Sequence, residues 1–434
     1  MIKLSRVPYI ASLLLLAYMP FHIFLSQSVS LVTGGLEAWK IGKDVFLVLA
    51  CLFTICLVYA KRKGNRSLSI LLGLTFLYGV FHLVLWAFNP DIYGRSAILG
   101  VIYNMRLPLF AILGYGSVLL LPKFVFSSVI KVVLIASTIV AFLGVVQFVL
   151  PGDILSHLGY SVDRGVRAAF YIDDNTALPL RIMSTLREPN ALGAYLILPA
   201  TAFGLLALRE SNKNRRLVFT GVFVLQSLAI LLTFSRSAWL GFGLSLFLVV
   251  WWQYNAFVAA FLRRFWSLLA TLVVVLSVGV FSVSNTDFFQ QYIIHGNSSE
   301  QVQDLDSNDY HKLLVKRGLE GIVEKPFGHG PGTAGLASIQ NPSGGQLTEN
   351  YYVQIGYEIG ILGVALFCVL NAWIYIKIWS RRDYVALVLC ASFWGYVLTN
   401  MLLHTWSNEA VAAQWWILAG MALSARPKTT KNVR

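Results

Sequence analysis

The run WSLLATLVVVLSVGVFSVS, residues 266–284, holds no charged side chain. It is long enough to cross a bilayer, whose hydrocarbon core takes about 20 mostly apolar helical residues. It gives way to a hydrophilic segment from about Thr286 to Asn350, and that segment stops at a second apolar run near 351–378. The alternation reads as span, outer loop, span. Working outward, runs of the same kind fall near 7–26, 44–60, 68–88, 97–121, 127–150, 190–208, 217–234, 238–257, 384–404 and 409–425, about twelve in all. The expected fold is an all-α polytopic membrane protein, because only helices and closed barrels satisfy their backbone groups in lipid.

Composition agrees. Of the 434 residues, 57% are hydrophobic and 12% charged, against about 25% charged in ordinary globular domains. The net charge of +14 does not point to a nucleic-acid partner, because the basic residues form short clusters between apolar runs rather than one soluble face. Cys51, Cys56, Cys368 and Cys390 all sit in apolar runs without ligand spacing, so neither a disulfide nor a metal site is expected. The first run, from Val7 to about Ser26, exceeds a signal-peptide core and has no small-residue cleavage site, and reads as a retained span.

Short loops rich in Lys and Arg face the cytoplasm. Most of the 34 basic residues fall in alternate short segments: Lys3 and Arg6, Lys61 to Arg66, Lys123 and Lys131, Arg209 to Arg216, Arg263 and Arg264, Lys377 to Arg382, and Arg426 to Arg434. Both termini are then cytoplasmic, and two polar segments face outward, Pro151 to Pro189 and Thr286 to Asn350. Three regions are expected: 1–285 with spans one to nine and the outer loop 151–189; the large loop 286–350; and 351–434 with the last three spans and a cytoplasmic tail. Within the large loop, Ser307 to Lys325 has Tyr310, Leu313, Leu314, Ile322 and Val323 near helical spacing and Pro326 after it, predicting an amphipathic helix over the bundle or along the membrane surface. Asn341 to Gly345 gathers turn-forming residues suited to a mobile lid. No internal repeat is visible.

Three polar motifs stand at the outer ends of inward-running spans: Arg187-Glu188-Pro189-Asn190, Thr233-Phe234-Ser235-Arg236 and Glu349-Asn350. Their helix N-termini carry unsatisfied N–H groups and the positive end of the dipole, and Asn190, Ser235 and Asn350 are good N-cap types. With Arg187 and Arg236 at the same level, an anion is the natural guest; snorkelling to headgroups is the alternative for either arginine alone. Arg106, inside the fourth span, reads equally as an interhelical partner or a substrate contact. Glu349 is a candidate general base for an incoming hydroxyl, or a solvated loop acid. His329, between glycines that permit close backbone approach, suits phosphate binding, base chemistry or a simple turn. His22 and His82 lie in apolar spans and read as core, whereas His404, with Trp406 and Glu409, is a candidate lining for a sugar groove.

In this order, the motifs resemble the O-antigen ligase and polymerase superfamily of bacterial cell-envelope enzymes. The likeness rests on Arg187 to Asn190, Thr233 to Arg236, Pro326 to Gly332, Glu349 to Tyr352 and Glu358 to Gly363, with the twelve-span layout. The resemblance implies a GT-C-type glycosyltransferase, without metal or cofactor, acting on undecaprenyl-diphosphate-linked glycans at the outer face of the bacterial inner membrane. Donor and acceptor would both be lipid-linked, and a chain-length regulator or flippase would be a compatible protein partner. Arg187 and Arg236 match residues that hold the lipid diphosphate, and Arg106, read above from the sequence alone, is a third candidate diphosphate contact. Glu188, Asn190, Asn350 and Tyr351 fall in the motifs as positioning residues, and His329, Lys312 and Arg317 are loop groups suited to positioning phosphate or sugar. The ligases look as if they require a histidine where Glu349 stands, so the polymerase branch is favoured. A ligase delivering a finished glycan to lipid A-core or protein is the alternative, and a lipid-linked glycan flippase, which should show repeat-related halves, the third reading.

Overall fold

The computed structural model describes residues 4–89, 91–121, 126–283, 286, 307–342 and 344–425. The basic residues Lys3 and Lys123, the tail from Arg426 to Arg434, the loop stretch 287–306 and Ser343 of the expected lid lie outside the described residues. Among the described residues, helices and isolated bridges account for the regular structure, with no strand.

The first span is a single rod of 30 residues, Leu4–Thr33. In it α1 (Val7–Tyr18) passes through a 3-10 turn at Met19–Phe21 into α2 (His22–Thr33). Pro20 lies in that turn, where its missing N–H would break an α-helical ladder. Then come α3 (Leu36–Ala60), α4 (Arg66–Phe88), α5 (Gly94–Leu120) and α6 (Phe126–Val149), followed by an irregular segment with three short 3-10 turns. The second half holds α7 (Pro189–Arg209), α8 (Lys213–Leu232), α9 (Arg236–Gln253) and α10 (Asn255–Val283). The loop helix α11 (Ser307–Glu324) and the single turn α12 (Gly335–Ser338) precede α13 (Tyr351–Trp379), α14 (Tyr384–Leu402) and α15 (Glu409–Ser424).

Nine segments among the described residues are long and apolar enough to cross a membrane: α1 with α2, α3 to α8, α13 and α14. The protein is a multi-pass membrane protein. The three other expected runs are helical as well, as α9, α10 and α15. The expected break between the eighth and ninth runs shifts: α9 ends at Gln253, α10 begins at Asn255, and Arg263 and Arg264 lie on α10 just before a kink at Phe265. The expected loop helix is present, ending at Glu324, one residue short of the position read from Pro326.

With 16 residues α15 is shorter than a bilayer crossing, yet it is the most enclosed helix, buried almost continuously from Ala410 to Ala422. Its main partner is α5. The two backbones touch: a Cβ at Gly114 would collide with the Ile417 carbonyl, and one at Gly420 with the Ala111 carbonyl. Inside lipid, where apolar side chains gain little from meeting one another, such close approach through small residues is what holds helices together. The same device joins α9 to α14 at Gly241 and Gly395.

The segment 326–332 serves the fold. Helix α13 breaks at Ile359 and Gly360, the latter at φ +70°, a conformation that favours glycine. The freed backbone groups are taken up by the loop: His329 N–H donates to Tyr357 O at 2.8 Å, Gly330 N–H to Glu358 O at 2.8 Å, and Ile361 N–H to Pro326 O at 2.9 Å. A broken helix at membrane depth requires such substitution, since no water is there to replace the lost bonds. The loop also wedges against α5, where a Cβ on Gly332 (φ +74°) would run into the Ser96 backbone. The buried Glu358 carboxylate fastens it, accepting from Gly332 N–H at 3.0 Å and from Asn104 at 2.8 Å.

Candidate active site

Two helix starts share one construction. Before α9, Phe234 sits at φ +49° and Ser235 is the N-cap; before α13, Glu349 sits at φ +48° and Asn350 is the N-cap. A left-handed non-glycine residue costs on the order of 1–3 kcal/mol and collects at functional sites. Asn350 is a working cap, its Oδ1 accepting from Tyr352 and Val353 N–H at 2.9 and 3.0 Å, while its amide donates to Met401 O at 2.7 Å. Ser235 makes no side-chain cap bond, its hydroxyl lying 3.2 Å from that of Ser237. The α7 start differs from expectation. Pro189, with φ preset for a helix, occupies the first turn, so Glu188 is the N-cap and Asn190 lies inside the helix. Asn190 Oδ1 instead accepts from Arg181 Nη2 at 3.0 Å.

These starts and α11 enclose a cavity of about 1050 Å³. Its basic side chains are Arg181, Arg236, Lys312 and Lys316, and the first turn of α9 contributes Ser235 and Ser237. Glu320 and Glu324 of α11 and Glu349 line it too, and its apolar side chains are Val315, Leu319 and Val323 of α11, Phe234 and Leu240 at and beyond the α9 start, and Met401, Leu402 and Leu403 at the end of α14. Val323 is 80% exposed and Leu240 57%. One space therefore brings two guanidinium groups, Arg181 and Arg236, together with exposed hydrocarbon, a combination that fits an amphiphilic anion.

A second, more enclosed chamber of about 150 Å³ adjoins it. Asn190, His311, Glu349 and Leu403 line both spaces and form the wall between them. In that wall Glu349 Oε2 stands 3.6 Å from His311 Nδ1 of α11. Arg187, Glu188, His404 and Glu409 line the chamber side.

The two arginines expected to meet thus line different spaces, Arg236 the cavity and Arg187 the chamber, where its Nη2 donates to Gly165 O at 3.3 Å. The residue sharing the cavity with Arg236 is Arg181, held by Thr233 O at 3.0 Å. Arg106 stands apart from the cavity, in a buried cluster: its Nε is 2.8 Å from Asp44 Oδ1, and its Nη1 is 3.7 Å from Glu409 Oε2. Lys312 lines the cavity and pairs with Asp309 at 2.8 Å. Arg317 is exposed on α11 and lines neither space. Tyr351 is 1% exposed and packs edge-on against Phe367, in the core rather than at the wall. His329 is stacked on Tyr357 with centroids 4.0 Å apart, its Nε2 3.0 Å from Gly321 O, and faces a different cleft from Glu349.

Sequence reasoning missed His311, Arg181 and the fastening role of Glu358. His311 lies on the polar side of an amphipathic helix 38 positions before Glu349, with no motif of its own. Arg181 sits in an irregular segment without periodicity. The one available signal for Glu358 was its position two residues before a glycine inside a span, where a carboxylate marks a helix break or a site.

Residues 221–368 match the family model described as O-antigen ligase. The matched stretch takes in Arg236, α11, the glycine loop, Glu349 and Glu358, and it supports the O-antigen ligase and polymerase superfamily that the motifs resemble. It supports a glycosyl-transfer enzyme of O-antigen-type polysaccharide biosynthesis embedded in a membrane. No curated protein matches the chain.

Proposed function

We propose that the protein is a polymerase of undecaprenyl-diphosphate-linked oligosaccharide repeat units, acting at the outer face of the bacterial inner membrane beside the loop helix α11. The observation that carries this reading is the cavity of about 1050 Å³ that joins Arg181, Arg236 and the first turn of α9 to an exposed apolar wall. Guanidinium groups make forked, charge-assisted hydrogen bonds to phosphate oxygens, and a helix N-terminus adds to them. The polyprenyl chain of such a donor would lie along Leu240, Leu319 and Val323, and the diphosphate against the arginines.

In this mechanism Glu349 takes the proton of an acceptor hydroxyl as its oxygen attacks the donor's anomeric carbon. The new C–O glycosidic bond forms while the bond to the diphosphate breaks; the electron pair leaves with the diphosphate, and the anomeric carbon inverts. Arg236 and Arg181 stabilise the charge that develops on the leaving group, the largest electrostatic demand of the step. His311, 3.6 Å from Glu349, orients the base. The expected roles of Arg187, Glu188 and Asn190 move to the acceptor side of the wall.

The family description favours a second reading, a ligase that moves a finished glycan to another acceptor. Product length separates the two. Purified protein given a lipid-linked repeat unit should yield a ladder of multiples on the carrier; a single transfer product of unchanged glycan length supports the ligase, and no transfer at all overturns both.

A further inference from the structure

The enclosed chamber behind the His311–Glu349 wall has contents the donor does not explain. At about 150 Å³ it is smaller than the roughly 300–1,000 Å³ of sites for drug-sized ligands, so it suits a single ring rather than a chain. Its lining mixes apolar side chains such as Ile23 and Leu336 with hydrogen-bonding groups, among them Glu188, Glu349, His404 and Glu409. Glu409 is set unusually. Its Oε1 lies 3.7 Å from His22 Nε2 and 3.9 Å from Lys43 Nζ, and its Oε2 3.7 Å from Arg106 Nη1. All three distances exceed a hydrogen bond. Arg106 and Lys43 stand closer to Asp44, at 2.8 and 3.3 Å. Lys43 and Arg106 thus bring positive charge near this carboxylate at more than hydrogen-bond distance, beside the His22 ring and Asp44, and 16% of the side chain remains exposed.

We propose that the chamber is the subsite for the acceptor's sugar ring, with Glu409 accepting hydrogen bonds from ring hydroxyls and His404 closing the far side. This rests on the glycosyl-transfer reading above and deepens it. A pyranose presents several O–H donors in fixed relative directions, and an ionised carboxylate is an acceptor-only group with two oxygens to meet them. The placement also suits displacement in line. Glu349 faces both spaces, so a hydroxyl held in the chamber meets the base on the side opposite the diphosphate in the cavity. Discrimination among sugars follows, because a buried acceptor left unmatched by an epimer's hydroxyl loses its partner altogether.

The test uses the full chain in nanodiscs with two separate readouts. Saturation-transfer NMR is run with a panel of free hexoses, 6-deoxyhexoses, hexosamines and uronic acids, and binding of undecaprenyl diphosphate is titrated independently. At least one sugar should show transfer, and Glu409→Gln should weaken it by about tenfold or more while diphosphate affinity stays within about twofold. Because Glu409 touches the buried cluster, His404→Phe, which narrows the chamber from outside that cluster, should give the same pattern. Arg236→Ala should give the reverse one. Transfer to no sugar in the panel, or transfer unchanged in both chamber variants, overturns the subsite while leaving diphosphate binding to stand. Failure of the wild-type protein to bind undecaprenyl diphosphate strikes the proposed function instead.

Discussion

Glu349 and His311 face each other across 3.6 Å although one precedes a membrane span and the other rides on the loop helix α11. The candidate base is therefore complete only when α11 is seated against α13, and the seating itself is made by apolar contacts such as Ile322 against Gly356 and by Gly318 beneath Val353.

If Glu349 is the base, Glu349→Gln should lower kcat by about 10²- to 10⁴-fold, the usual contribution of a positioned proton acceptor. Glu349→His, which restores a basic group at the same strained backbone position, should recover part of that loss. His311→Ala should cost less than Glu349→Gln, and the double variant no more than the single Glu349→Gln. Steady-state transfer assays on the four variants and wild type decide this, and equal activity of Glu349→Gln and wild type would remove the residue from the mechanism.

Arg236 and Arg187 should separate in binding experiments. Arg236→Ala should weaken undecaprenyl diphosphate by about ten- to a hundredfold, the worth of a charge-assisted hydrogen bond, and Arg181→Ala by a similar factor. Arg187→Ala should change it by less than about threefold, because Arg187 lines the other space. Equal losses for Arg187 and Arg236 would mean that the diphosphate bridges the wall.

Arg106 should report on folding rather than on donor affinity. It is 4% exposed and paired with Asp44. Removing it alone leaves the buried Asp44 with Lys43 as its cationic neighbour and breaks the shorter of its two pairs, a loss that reaches about 3–5 kcal/mol for a buried pair, whereas replacing both members by apolar residues is often neutral. Thermal unfolding should therefore show a large drop for Arg106→Met and substantial recovery in Arg106→Met with Asp44→Leu, with diphosphate affinity unchanged in whichever variant folds.

The glycine loop should behave as a structural latch. Gly332→Ala forces a left-handed conformation on alanine and drives its Cβ into the Ser96 backbone, so it should destabilise by about 1–3 kcal/mol or more. Gly243→Ala on α9, where a Cβ meets nothing, is the control and should leave the melting temperature nearly unchanged. His329→Ala should lose stability through its stack on Tyr357 while retaining more transfer activity than Glu349→Gln.

Apolar runs of bilayer length, with charged clusters between them, determined by themselves that the chain is a helical membrane protein, because an unbroken apolar run of about 20 residues satisfies its own N–H and C=O groups in lipid as a helix, whereas a barrel strand is shorter and alternates. The amphipathic period of α11 and the caps at Ser235 and Asn350 were equally local and equally legible. Pairing between helices was not. An arginine inside a span looks the same in sequence whether it meets a substrate or a carboxylate, and only the packing of α5 against α3 and α15 put Arg106 beside Asp44 and Glu409. The same holds for the glycine loop, where His329 reads equally as a phosphate ligand, a base or a turn residue, and only the tertiary structure shows the loop satisfying the backbone groups freed by the break in α13. Hydropathy and capping are read along one chain; partners, and the choice between Arg181 and Arg187 beside Arg236, depend on distances between segments far apart in sequence, which the tertiary structure alone sets.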